Sequence, residues 1–475
     1  MAGIALQLLS ETEKDQIHEA SLEILEEVGL TVDEAEALDL LDQAGAQVDR
    51  ESRRVRFPRT LVQESLDHAP SEVKLYGRDT SKVVHLREGN VYYSTSGYAI
   101  RVFDPRDGQC REMNRKDQEW ITQLSDGLDN VDIHAVIGTP YDVPAETNDR
   151  YQLAIALTKN TKPIWNTAYG KEGVLDAVRM ASAVRGSRER LREFPLFTLD
   201  LTTLSPLQLD ERQASTMIEG ARQGVPIGIS PGPIGGATGP VTLAGTLTQA
   251  NAEFLGALAL CQTVQPGAPV IYTQWTRSLD MSTGSVAMGG PEFSLLRVAN
   301  AEMARHYHLP SRGGGLIADA KAPDAQMGAE KLLNCLMASL AGLNVVAGAG
   351  QTDFINTARP DQMFIDNEII GVVKRMCQGI EVNPDTIAKD LIGEVGPSGN
   401  YLTTEHTVSH FRKEFWFPRL WDRQTWPVWE KDGAKEIGAR AAEKVISATH
   451  EVAALDAAVE EAIWEIVKEA DQRFA

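Results

Sequence analysis

Cysteine is sparse in this chain and nowhere close-paired. Its four residues, Cys110, Cys261, Cys335 and Cys377, show no CxxC spacing, which argues against a disulfide framework and a cysteine-rich zinc site. Basic charge is short as well. With 46 Lys and Arg against 67 Asp and Glu, the net charge is −21, a balance that disfavours nucleic acid and anionic membranes as partners. No apolar run approaches the roughly 20 residues of a membrane span. The segment Met1 to Leu6 lacks the charged start and long apolar core of a secretory leader, so a cytoplasmic protein is expected. Low-complexity linkers and tandem repeats are missing too, which sets a solenoid aside. What is present is 43% hydrophobic residues, ample for a large core.

A capping box from Ser10 to Glu13 predicts a helix through Ile17, Ile24, Leu25 and Val28. A second helix is expected from about Glu34 to Gln43 and a third from near Pro58. Short β runs follow at Val83–Leu86, Val91–Tyr93 and Ile100–Phe103, with Asp104–Gly108 as turn chemistry. Residues 1–114 therefore read as a helical and β cap. Beyond them the pattern becomes regular. Strand-length apolar runs recur at Ile133–Gly138, Pro163–Thr167, Leu196–Asp200, Pro226–Ser230, Pro269–Thr273, around Arg312 and at Asn344–Gly348, with helical stretches between. Strand–helix alternation predicts parallel strands with crossover helices. Seven or eight such units predict a (β/α)8 TIM barrel over 115–385, with a Trp-rich helical extension at 386–475 packed on it.

In such a barrel the chemistry sits at the carboxyl ends of the strands. Here those ends carry Tyr141, Trp165, Asn166, Tyr169, Asp200, Ser205, Ser230, Tyr272, Gln274, Trp275, Arg312, Gln351 and Phe354. No His and carboxylate cluster has metal-ligand spacing. His306-Tyr307-His308 imitates a metal pair but falls at a helix end, and no bound metal is expected. Gly348-Ala349-Gly350 is a lone GxG. The loop from Gly232 to Gly239 is not followed by Lys-Ser/Thr and is no P-loop. Its Gly232, Gly235 and Gly236 would instead let a large flat group approach the backbone. The aromatics Trp165, Tyr272, Trp275 and Phe354 can cage a quaternary ammonium or simply pack. Arg312 offers a rigid two-pronged donor for a carboxylate. Its rival reading is an ion pair with a barrel carboxylate such as Asp200 or Asp319.

Several motifs together resemble a known family. They are Gly239-Pro240-Val241-Thr242-Leu243-Ala244-Gly245-Thr246-Leu247 with Asn251-Ala252-Glu253, then Pro266-Gly267-Ala268-Pro269-Val270-Ile271-Tyr272 and Asp280-Met281-Ser282-Thr283-Gly284. Asp319-Ala320-Lys321, Glu330-Lys331, Ile365-Asp366-Asn367-Glu368 and Leu75-Tyr76-Gly77-Arg78-Asp79 continue the set. In this order they resemble the trimethylamine methyltransferase superfamily over nearly the whole chain. The resemblance implies a barrel that moves a methyl group from a methylamine to the Co(I) of a corrinoid carried by a separate small protein. Aligning Leu309-Pro310-Ser311 and Asp319-Ala320-Lys321 puts Leu316 where the founding enzymes carry pyrrolysine. This chain thus resembles the branch without it, whose members act on glycine betaine and related compounds.

That difference has a physical reading. A neutral tertiary amine would leave as an amide anion and needs activation, whereas a quaternary ammonium leaves as a neutral amine. The expected substrate is therefore already quaternary, with Arg312 on its carboxylate and Gln274 or Gln351 supplying a further hydrogen bond. Glycine betaine, proline betaine, carnitine, γ-butyrobetaine, choline and dimethylsulfoniopropionate stay open. The protein would align donor and acceptor rather than supply a general acid or nucleophile. The segment Tyr401–Thr407 with His410-Phe411-Arg412 also resembles the family, and reads as a mouth lining or a helix cap. Trp416, Trp421, Trp426 and Trp429 read as an interface, and with it a homo-oligomer, or as simple packing on the barrel. The rival functions are a metal-dependent hydrolase or lyase on the same barrel and a non-catalytic betaine sensor.

Overall fold

The strand-length runs close into a ring. In the computed structural model, which describes residues 6–474, eight short strands alternate with eight helices. The strands are β1 (Tyr92–Thr95), β2 (His134–Ala135), β3 (Ile164–Asn166), β4 (Phe197–Leu201), β5 (Ile227–Ile229), β6 (Val270–Gln274), β7 (Ser311–Gly314) and β8 (Val345–Ala349). The helix after each is, in turn, α1 (Arg115–Asp126), α2 (Asn148–Lys159), α3 (Gly170–Arg185), α4 (Glu211–Gln223), α5 (Leu243–Val264), α6 (Pro291–His306), α7 (Ala325–Leu340) and α8 (Pro360–Cys377). Neighbouring strands pair in parallel from β2 round to β8 and back to β1. A bridge between Ser94 and Ile133 closes β1 onto β2. This is a (β/α)8 TIM barrel. The Met1–Ala5 part of the segment read for a leader lies outside the described residues.

Seven strands fall on the expected runs. The eighth, β1, is the Val91–Tyr93 run assigned to the cap, so the barrel begins inside residues 1–114. The reason is an insertion. A hairpin of Arg101–Asp104 and Gln109–Glu112 stands between β1 and α1, and in sequence it makes β1 look like part of a β meander.

Alternation along the strands sorts their side chains. On β6, Ile271 joins the lumen cluster with Ile133, Ala135, Trp165 and Val345, while Val270 and Tyr272 join the outer cluster with Phe254 of α5. The lower lumen is plugged by the hairpin Val73–Tyr76/Val83–Leu86, whose Val73, Leu75, Val84 and Leu86 belong to the lumen cluster. That hairpin is tied to the amino-terminal end of the barrel, where Tyr76 N–H donates to Pro195 O just ahead of β4.

The cap covers what the barrel cannot. Helix α5 buries 16 of its residues, nearly all round, so its outer face needs a second layer. The amino-terminal helix Glu11–Glu23, opened by the Ser10–Glu13 capping box, supplies it together with Leu25 and Leu30. At the other end of the chain, the helix Ala457–Phe474 returns to α2, where Asp471 accepts from Tyr151 Oη at 2.7 Å. All four cysteines are free. No helix among the described residues is long and apolar enough to cross a membrane.

Candidate functional site

At the carboxyl end of the lumen sits one ion pair. Arg312, on β7, is 1% exposed, and its Nη1 donates to Asp200 Oδ2 of β4 at 3.3 Å. Asp200 also accepts from Ser230 Oγ at 2.8 Å. The guanidinium carbon stands 4.3 Å from the ring centre of Trp165 and 5.5 Å from that of Trp275. The cation held by the two indoles is therefore Arg312 itself. Burial lowers the pKa of Arg312, and Asp200 opposes that shift. The group nevertheless stays charged at neutral pH, because an unperturbed guanidinium titrates so high.

Several polar atoms of the lumen have no partner in the protein. Arg312 Nε, Trp165 Nε1, Thr198 Oγ1 and Ser94 Oγ are all buried and unbonded. Among the described residues the Arg312 guanidinium makes a single hydrogen bond, through Nη1, so its Nε edge is open. Buried polar groups are rarely left unpaired, and four in one lumen mark it as a place for a polar guest.

The other expected site residues divide. Tyr272 and Gln274 turn outward: Tyr272 Oη donates to Asn251 Oδ1 of α5 at 2.8 Å and accepts from Gln274 Nε2 at 2.6 Å. Neither faces the lumen, because side chains on β6 alternate and Ile271 takes the inner face. Gln351 Nε2 donates to Gly97 O at 2.7 Å, so it ties the loop after β8 to the loop after β1. Phe354 packs with Trp275, Met288, Phe293 and Ile317 at the mouth. Leu316 is fully buried and belongs to the outer cluster with Val346, Ala338 and Cys335. It offers the lumen no functional group.

The glycine loop packs closely against its own neighbours. A Cβ on Gly232 would meet Arg277 Nη1 at 2.9 Å, one on Gly235 would meet Thr246 Oγ1 at 2.9 Å, and one on Gly236 would strike Met281. What these glycines admit closely is the chain's own side chains. Arg297, fully buried, donates to the carbonyls of Gln274 and Thr276 and fixes the end of β6. Burial, then repulsion from Arg277, pushes its pKa down to about 9. His306-Tyr307-His308 lies outside the barrel, with Tyr307 Oη near His18 Nδ1 at 3.0 Å. No group of three potential ligands is placed to hold a metal among the described residues.

Two residues gained importance only in three dimensions. Asp200 was visible at a strand end but only as a rival partner for Arg312. Tyr98 carries no strand-end signature in the sequence, because β1 resembles part of the cap. Its one sequence signal is its place just past the Tyr92–Thr95 strand, behind Gly97.

The comparisons with known proteins agree along the whole chain. A family model described as trimethylamine methyltransferase (MTTB) matches residues 3–474. Trimethylamine methyltransferase MttB of Desulfitobacterium hafniense is 34% identical over 445 residues, covering 94% of this chain and 90% of that protein. Glycine betaine methyltransferase of the same species is 32% identical over 427 residues, covering 90% and 88%. Among solved structures, monomethylamine methyltransferase (MtmB) of Methanosarcina barkeri aligns with a TM-score of 0.51 at 11% identity, covering 97% of this chain and 92% of that one. That likeness concerns the fold alone.

Proposed function

This chain belongs to the trimethylamine methyltransferase family and is a methyltransferase, and from that premise we propose that it takes its methyl group from a carboxylated quaternary amine of the glycine betaine type. The acceptor is a corrinoid presented by a small separate protein, in a cytoplasmic setting. The observation that carries the reading is the open Nε edge of Arg312, buried in the lumen at the functional end. A guanidinium edge of that kind pairs with a carboxylate through two parallel hydrogen bonds. Arg312 and Asp200 together are neutral, which suits a zwitterion better than a bare cation. The carboxylate would lie on Arg312 and the ammonium towards Asp200.

The chemistry asked of the protein is modest. Asp200 is already engaged by Arg312 and Ser230, and the Tyr98 phenol that lines the same cavity is held well above its usual pKa, mainly by burial. Leu316 brings only hydrocarbon. A donor that leaves as a neutral amine requires no proton, so alignment and exclusion of water are enough. The reduced corrinoid, when bound, supplies the nucleophile. With Trp165 and Trp275 committed to Arg312, the site also avoids over-stabilising a positive charge that disappears in the transition state.

A docking face for the corrinoid protein is supported by the rim of the barrel. Tyr141, Leu204, Val241 and Met281 are all more than half exposed and lie on the loops after β2, β4, β5 and β6. Large apolar side chains ringing the mouth suit a broad partner. A homo-oligomer is supported by exposed apolar residues from the end of the barrel segment into the tail. Ile380, Val382, Leu402, Val408 and Trp426 are 65% or more exposed, and light scattering at working concentrations should give a mass above one chain.

The deciding experiment is spectrophotometric. Added cob(I)alamin is followed for alkylation in the presence of glycine betaine, proline betaine, carnitine, choline, dimethylsulfoniopropionate and trimethylamine. Alkylation with a carboxylated betaine and none with trimethylamine is expected. Alkylation with trimethylamine alone would overturn the substrate class.

A further inference from the structure

Tyr98 lines the small cavity that Trp165, Thr167 and Asp200 share. It follows β1 directly, at the functional end of the barrel. As a whole residue it is 41% exposed, yet it also lines this small inner cavity with Thr167 and Asp200. Burial and then the Asp200 charge hold that phenol well above its usual pKa. The cavity that Tyr98, Trp165, Thr167 and Asp200 line has room for about 10 Å³, the scale of a single water. A quaternary head group has five heavy atoms and does not fit unless something moves.

The backbone around Tyr98 is constrained. Tyr98 has φ +74, the left-handed region that bulky residues seldom adopt and that persists only when the surroundings impose it. Both flanks are pinned. Gly97 O accepts from Gln351 Nε2 at 2.7 Å, and Ala99 O accepts from Thr139 N–H at 2.9 Å. A Cβ at Gly97 would come 3.1 Å from Val136 O, so the approach into the loop is tight as well. Between these anchors Tyr98 is held against the cavity that Asp200 and Trp165 share.

We propose that Tyr98 is the movable wall of the substrate site: its ring fills the head-group space in the empty protein and, once displaced, sets how large a head group is admitted. This rests on the reading given under Proposed function, since it assumes an onium guest beside Arg312. Tyr98 would thus be a size-selecting residue, contributed by the strand next to β8 and β2 and independent of the carboxylate contact.

The test compares glycine betaine with its N-triethyl analogue by calorimetric titration of the full chain. Wild type should prefer the trimethyl compound by about tenfold or more, the scale of a misfitted methylene. Tyr98→Gly should bring the two affinities to within about threefold of each other, while Tyr98→Phe should keep the wild-type preference. Glycine tolerates a positive φ, so the variant should fold, with an unchanged or raised Tm. A Tyr98→Gly protein that keeps the wild-type preference overturns this inference and leaves the substrate reading intact. Binding of neither compound to wild type overturns the substrate reading, and this inference with it.

Discussion

The indole faces of Trp165 and Trp275 can hold one cation, and in this barrel the guanidinium of Arg312 takes it. That decides how its loss should be felt. Arg312→Met strands a buried Asp200 carboxylate, and the single change should cost about 3–5 kcal/mol in urea unfolding. Adding Asp200→Asn should restore part of that stability, because the uncompensated charge is gone; no recovery in the double variant would show that the pair is not the cause. For binding, Arg312→Met should weaken glycine betaine by about 2–5 kcal/mol and choline much less. Equal losses would rule out the carboxylate contact.

At the scale of elements, many residues that carry the family resemblance turn out to be fasteners. Glu253 of α5 is fully buried and accepts from Thr203 and Ser205 after β4 at 2.6 and 2.8 Å. Glu330 of α7 accepts the N–H groups of Asp319 and Ala320 after β7. Asp366 of α8 accepts from Gly350 N–H after β8 and pairs with Lys331 Nζ of α7 at 2.6 Å, both side chains at 0% exposure. Each helix thus sends one carboxylate to hold a loop at the functional end, which is the kind of support a precise site needs. Lys331→Met should be strongly destabilising, by about 3–5 kcal/mol, because Asp366 would remain buried without its counter-charge. A loss below about 1 kcal/mol in denaturant titration would mean the pair is replaceable.

At the scale of the molecule, acid stability and partner docking can be forecast. His134, in the wall of the barrel, is fully buried, and desolvation first, then Lys162, pushes its pKa down to about 3 from an ordinary 6.5. Between those values the unfolded chain binds a proton that the folded one refuses, so stability falls as pH falls through that window. From pH 7 to 5 this group alone should remove about 2 kcal/mol. His134→Gln should flatten that part of the Tm profile; an unchanged slope would assign it to other groups. On the rim, Val241→Glu and Met281→Glu should slow methyl transfer to a protein-bound corrinoid and leave transfer to free cobalamin nearly unchanged. Parallel losses would place those residues in the substrate site rather than at a docking face.

The barrel, its seven regular units and the Ser10–Glu13 cap were legible in the sequence because periodicity and capping are local and repeat every few residues. So was a pairing of Arg312 with Asp200, one of the two uses its sequence setting offered. What stayed hidden was non-local. That β1 belongs to the ring depends on pairing Ser94 with Ile133 and Val345 with Tyr92, contacts no local pattern encodes. That Tyr272 and Gln274 face α5 depends on the register of β6, where a shift of one residue exchanges inside for outside. That Arg312 meets Asp200 and the two indoles, and that Tyr98 lines one cavity with Asp200 and Trp165, depends on side chains from five strands or their ends converging across the ring. Composition and spacing determined the barrel, and the family resemblance of its motifs pointed to the chemistry. Only closure of the barrel decided which of the strand-end residues share one lumen, because side-chain direction there is set by strand pairing rather than by neighbours in sequence.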